Sequence, residues 1–187
     1  VETAGLPLLI DHGERHWSQT PIPWDDIDKL CAAHHRLAVV LVGITIGDVR
    51  NAMPVMRRHR NLYVETHACG LPNLHALLEQ EGLAEQALFG TGLPIRAPEC
   101  VVGHLVCGGA SDAHLEVIAG ATALRLIGMC EPEEGYRDVP RGCPWRGVID
   151  IHGHYGRWER TVSVVRTPEA VLREMDRCGI EIGRAHV

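Results

Sequence analysis

Val39-Val40-Leu41-Val42, closed by Gly43, is a short, β-branched apolar run. Apolar residues at every position, rather than at alternate ones, mark a strand buried on both faces, as in a parallel sheet. Upstream, Asp25 to Arg36 carries Ile27, Leu30 and Cys31 at helical spacing. Before that helix, Gly5-Leu6-Pro7 opens the apolar run Leu8-Leu9-Ile10, which ends in the polar cluster Asp11-His12-Gly13-Glu14. Downstream, Asp48 is placed to cap a helix whose Val49, Met53 and Met56 share one face, with Pro54 inside it and able to shift its start.

The same alternation continues outward. Asn61-Leu62-Tyr63-Val64-Glu65 reads as a strand, followed by a helix capped by Asn73, carrying Leu74, Leu77 and Leu78, and closed by Gly82. Ala87-Leu88-Phe89 is a third short strand running into Gly90-Thr91-Gly92-Leu93-Pro94. His104 and Cys107 read as part of a Gly-rich loop. Ser111 then opens an amphipathic helix with Leu115, Ile118, Ala119, Thr122 and Leu126 inward and Gly128 as its stop. Residues 129–147, rich in Pro, Gly and Glu, have no helical period and read as a linker. Structure resumes with the strand Val148-Ile149-Asp150-Ile151, then a helix opened by Thr167-Pro168 with Val171, Leu172 and Met175 as its buried face. Ile180-Glu181-Ile182 starts a last strand close to the end of the sequence, a pattern that suggests truncation. Repeated strand–helix units with short connections predict an α/β fold with a parallel sheet or barrel.

Composition narrows the function. The chain has 187 residues, 45% hydrophobic and 22% charged, with 18 Lys plus Arg against 24 Asp plus Glu, a net charge of −6. An acidic chain without a broad cationic surface argues against nucleic acid as a partner. No apolar run reaches the roughly 18 residues of a membrane span. Seven cysteines without a CxxC pair read as free thiols in a reducing, cytoplasmic setting, and no secretory signal opens the sequence. Arg57, Arg58 and Arg60 read as the exposed end of a helix rather than an anion site. No G-x-S-x-G elbow or GK[ST] phosphate loop is present.

Among 12 histidines, the pair in Asp150-Ile151-His152-Gly153-His154 is the strongest chemical signal. Residues i and i+2 of a strand share a face, so His152 and His154 are placed to offer two imidazoles to one metal ion. Asp11, His12, Glu14 and His16 form a second crowded group, in which His12 is a candidate third ligand. His67 and Cys69 follow a strand and could line a pocket, without diagnostic spacing.

Val148 to His154 resembles the opening strand of the amidohydrolase-related family of metal-dependent barrel hydrolases and decarboxylases. Met175-Asp176-Arg177-Cys178-Gly179-Ile180 is similar to the family's first helix leading into its second strand. The first part of the chain resembles the C-terminal half of the same barrel. Gly5 to Ile10 is similar to the fifth strand, Val39–Val42 to the sixth and Asn61 to Thr66 to the seventh. Phe89-Gly90-Thr91-Gly92-Leu93-Pro94 resembles the eighth, and Ala119 to Gly128 the final helix. The resemblance implies a partial or permuted (β/α) barrel of about five parallel strands, in the order five, six, seven, eight, one. It divides the chain into a C-terminal barrel half (1–128), a linker (129–147) and the N-terminal start of a barrel (148–187).

By the same resemblance, the parent activity is metal-assisted hydrolysis of a C–N or ester bond, or decarboxylation of a small-molecule carboxylate. The implied cofactor is a divalent metal, zinc foremost, bound by His152, His154 and His12. Three positions depart from the family: Asp11 stands where it has a metal-binding histidine at the end of the fifth strand, with His12 one residue later, Gly43 where it has a histidine after the sixth, and Gly92 where it has the catalytic aspartate after the eighth. No residue is assigned the aspartate's role, so the expectation is a catalytically impaired or incomplete enzyme. The alternative is a non-catalytic subunit, forming a homo-oligomer or pairing with an intact barrel homologue through exposed sheet edges.

Overall fold

A computed structural model describes residues 5–11, 21–93, 96–128, 148–152 and 167–182. The strand–helix alternation runs from residue 8 to residue 88 and returns from residue 148. Strand β1 (Leu8–Asp11), helix α1 (Trp24–Ala33), strand β2 (Val39–Val42), helix α2 (Ile46–Arg58), strand β3 (Leu62–Glu65), helix α3 (Leu74–Gln80) and strand β4 (Ala87–Leu88) follow in order. Helix α4 (Pro98–Val106) comes next. A continuous helical stretch follows, made of α5 (Asp112–Glu116), a π-helical turn (Val117–Ala121) and α6 (Thr122–Leu126). Strand β5 (Val148–Asp150), helix α7 (Pro168–Cys178) and strand β6 (Ile180–Ile182) complete the elements.

Strands β1 to β4 form one parallel sheet in sequence order, with Ile10 opposite Leu41, Leu41 opposite Val64 and Val64 opposite Ala87. Strands β5 and β6 form a second parallel ladder, with Val148 opposite Ile180. The two are stitched together just beyond β4, where Ile151 N–H donates to Phe89 O (3.3 Å) and Gly92 N–H to His152 O (2.7 Å). The molecule is therefore a mixed α/β structure on a four-stranded parallel sheet with an adjoining two-stranded ladder, and it is not a closed barrel.

Side-chain alternation divides the apolar residues between two faces. Val39, Leu41, Leu62, Val64, Ala87, Phe89 and Val148 pack with the helices into the main core, which also takes in Val171, Met175 and Ile180. Val40, Val42, Leu88 and Ile149 point the other way and share a smaller cluster with Ala123, against which Tyr63, Leu124 and Ile151 pack. Strand β2 is buried at all four positions, as its uniform composition requires.

Several local expectations change. Thr45, not Asp48, is the N-cap of α2, while Asp48 sits at the third helical position and its carboxylate accepts from the Thr45 N–H (2.8 Å) and hydroxyl (2.7 Å). That reciprocal arrangement moves the helix start back by three residues. His104 lies within helix α4 and Cys107 is its C-cap, where a loop was expected; Pro98 at the first turn starts a helix that its glycines obscured in the sequence. Leu172 is 48% exposed, so the buried face of α7 narrows to Val171 and Met175. The linker 129–147 lies outside the described residues. Among the described residues, no helix is long and apolar enough to cross a membrane.

Candidate metal centre

Parallel strands deliver their C-terminal ends to one rim, and there the polar residues gather. Glu65 ends β3 on the same face as Tyr63, and its side chain is fully buried. His67 follows two residues later, 7% exposed, and His152 comes two residues after the end of β5, 9% exposed. Glu65 Oε2 lies 2.5 Å from His67 Nδ1 and 3.3 Å from His152 Nδ1, and the two Nδ1 atoms are 3.2 Å apart. The rings meet edge to face, with centroids 4.6 Å apart.

Backbone donors hold the carboxylate. His67 N–H donates to Glu65 Oε1 (2.6 Å), and Gly43 N–H to Oε2 (3.3 Å). Burial alone pushes the Glu65 carboxyl up, but hydrogen bonds from His152 and His67 outweigh it and hold the group at about 2. Burial pulls His152 down, yet the Glu65 carboxylate, aided by Asp11 and Asp150, leaves its imidazole above the ordinary histidine range.

Two glycines make room for this group. A Cβ at Gly90 would stand 2.6 Å from Glu65 Oε1, and one at Gly92 would stand 2.4 Å from His67 Cδ2. The position expected to carry an aspartate is thus a gap into which a histidine from the neighbouring strand projects. Gly43, expected only as a lost ligand, contributes its N–H to the carboxylate instead.

Asp150 fastens the β5 side of the site. Its Oδ1 accepts from Thr91 N–H (2.9 Å) and His152 N–H (2.9 Å), and its Oδ2 accepts from the Thr91 hydroxyl (2.5 Å). Burial raises its carboxyl to about 6 despite these donors. The carboxylate therefore sets the backbone direction from which His152 projects toward Glu65.

A metal test follows from these distances. Metal–nitrogen and metal–oxygen bonds of about 2.0–2.1 Å around a tetrahedral zinc ion place ligand atoms about 3.3–3.4 Å apart. The His152–Glu65 and His67–His152 separations already match that edge. The third, His67–Glu65, is closed by a direct hydrogen bond and needs to open by about an ångström. One carboxylate and two imidazoles suit zinc, as in His₂Glu hydrolytic sites, and equally suit ferrous iron. A second grouping, Glu99, Glu174 and Cys178, already contains a cation, because the Arg177 guanidinium pairs with both carboxylates.

Of the ligands expected from sequence, His152 lies in the cluster, while His12 and His154 fall outside the described residues, as do Glu14 and His16. The sequence presents Glu65 as a strand residue and His67 as a candidate pocket residue. The spacing that singled out His152 and His154 also occurs in Glu65-Thr66-His67, two liganding side chains at i and i+2 after an apolar strand. Comparison with known proteins adds no assignment: no family model matches the chain, and no curated protein matches it.

Proposed function

We propose that this chain is a divalent-metal-binding α/β module related in chemistry to metal-dependent hydrolases, with Glu65, His67 and His152 as the protein ligands. The observation that carries the reading is the convergence of Glu65 Oε2 and two imidazole Nδ1 atoms, each pair 3.3 Å apart or closer, at the C-terminal rim of a parallel sheet. Two imidazole nitrogens held beside a fully buried carboxylate need a shared proton or a cation between them. A divalent ion in that place supplies a Lewis acid that polarises a carbonyl or acidifies water near neutral pH.

The residues divide the remaining work. Glu65 carries the negative charge that neutralises a cation; the His152 and His67 side chains keep it ionised, and the Gly43 and His67 N–H groups aim it. Asp150 and Thr91 hold His152 in position. Gly92 offers no side chain to move a proton, so the isolated chain is an ion-binding site with weak or absent turnover of a C–N or ester substrate.

Zinc titration by calorimetry, with elemental analysis of the purified chain, tests the proposal. One ion per chain is expected, falling below half occupancy in His152→Ala and Glu65→Gln; a stoichiometry unchanged in both variants would overturn it. The subunit alternative keeps one supporting observation: among the described residues, β1 and β6 each pair on one side only. Unpaired edges invite a further strand.

A further inference from the structure

At the other end of the sheet, the N-terminal ends of β1, β2 and β3 border a cleft of about 360 Å³. Its walls come from the segment before β1, the turns preceding β2 and β3, and the end of α6. Arg36, Arg60 and Arg125 line it together with His35 and Tyr63, and no Asp or Glu is among the described lining residues. In a chain with 24 acidic and 18 basic side chains, three arginines around a concavity that has no acid among its described lining residues need a reason.

Helix ends supply part of one. Cations favour the C-terminal end of a helix, and each of these arginines follows or ends one. Yet Arg57 and Arg58, at the end of α2, are met by Glu81 and Asp28. The cleft arginines are met by no carboxylate among the described residues.

Two of the three are anchored and only partly used. Arg60 Nη1 donates to Gly82 O (3.1 Å) and Gln86 Oε1 (3.1 Å), and Arg125 Nη2 donates to Glu85 O (3.1 Å). Both guanidinium groups are thereby tied to the one segment, 82–86, with N–H donors to spare. The Arg36 guanidinium and the Tyr63 hydroxyl have no hydrogen-bond partner among the described residues.

We propose that this cleft binds the dianionic phosphoryl group of a small molecule, gripped by Arg36, Arg60 and Arg125. Guanidinium forks match tetrahedral phosphoryl oxygens, and three cations without counter-charges among the described residues call for more than one negative charge. The open cleft is of a size to take a small phosphorylated molecule. A nucleic-acid backbone would instead need an extended basic face, which this acidic chain does not provide.

The test is calorimetric titration of the full chain with inorganic phosphate at constant ionic strength, in the presence of a chelator so that no metal takes part. Saturable binding of one phosphate per chain is expected. Arg36→Gln, which breaks no internal hydrogen bond, should weaken it about tenfold or more, as should Arg125→Gln. Arg50→Gln, an exposed arginine on α2 outside the cleft, should leave it unchanged. Thermal melts of each variant verify folding. Absence of saturable binding, unchanged affinity in Arg36→Gln, or equal weakening in Arg50→Gln would each overturn the proposal. None of these readouts depends on the zinc site.

Discussion

His67 projects into the space that any side chain at Gly92 would fill, with a Cβ built at Gly92 falling 2.4 Å from His67 Cδ2 and 2.7 Å from Nε2. Gly92 also sits at φ +62°, in the left-handed region that side chains disfavour. The absence of a side chain at Gly92, beyond β4, and the placement of the His67 imidazole, beyond β3, are one arrangement.

Gly92→Ala therefore meets two obstacles at once, backbone strain and a displaced His67. A loss of about 1–3 kcal/mol in urea denaturation is expected. Zinc affinity should fall about tenfold to a hundredfold, as for other displaced ligands. Gly92→Asp, which places a carboxylate at that position, should lose metal for the same steric reason and gain no turnover in a hydrolysis assay.

Glu65→Gln keeps the shape of the buried carboxylate and removes its charge. Two imidazoles then face an amide whose NH₂ end is a donor. Zinc binding measured by calorimetry should weaken by more than a hundredfold, while Gly43→Ala, at a residue in the left-handed region (φ 73°), should weaken it less and destabilise the fold.

Asp150 accepts three hydrogen bonds, and the two possible truncations treat them differently. Asparagine retains an oxygen for both N–H donors and can turn its NH₂ toward the Thr91 hydroxyl, which also accepts. Alanine leaves two buried N–H groups unsatisfied. Asp150→Ala should cost about 2–4 kcal/mol in equilibrium unfolding at pH 7. Asp150→Asn should cost under about 1 kcal/mol. The fastening is disproved if both variants unfold alike.

His75 is 1% exposed, and neither ring nitrogen has a hydrogen-bond partner. Burial, with the nearby His104, pushes its imidazole down from 6.5 to about 4. Between those values the unfolded chain takes up a proton that the folded chain refuses, so this residue's contribution to stability is intact above pH 6.5 and drains away as the pH falls toward 4. The loss reaches about 3 kcal/mol. His75→Leu should flatten that part of the profile, so the stability difference between variant and parent grows from pH 7 to pH 4.5 in denaturant titrations. A constant difference across that range would rule the assignment out.

Legibility in the sequence followed periodicity. Strand β2 and helix α7 declared themselves, one by continuous apolar residues and the other by a threonine cap, Pro168 and Gly179 around an apolar stripe. Helix α4 did not, because Gly103 within it and Gly108 and Gly109 beyond it imitate a loop; its Val101 and Leu105 contacts with the core decide the matter in three dimensions. Of the three residues in the candidate metal cluster, the sequence marks one as a ligand. His152 was singled out by its place after a buried strand, whereas Glu65 and His67 meet it across 87 and 85 residues of chain. No local pattern reports so distant a meeting, although the i, i+2 spacing was on display.

That separation in the chain has a consequence for how the centre comes into being. Glu65 and His67 leave the ribosome long before His152, and the chain cannot complete the triangle until β5 has docked beside the segment beyond β4. Under the proposed function, a nascent chain ending before Val148 would lack one of the three ligands, and one extended past His152 would hold all three. Cation uptake at the proposed centre then reports on the last stage of assembly.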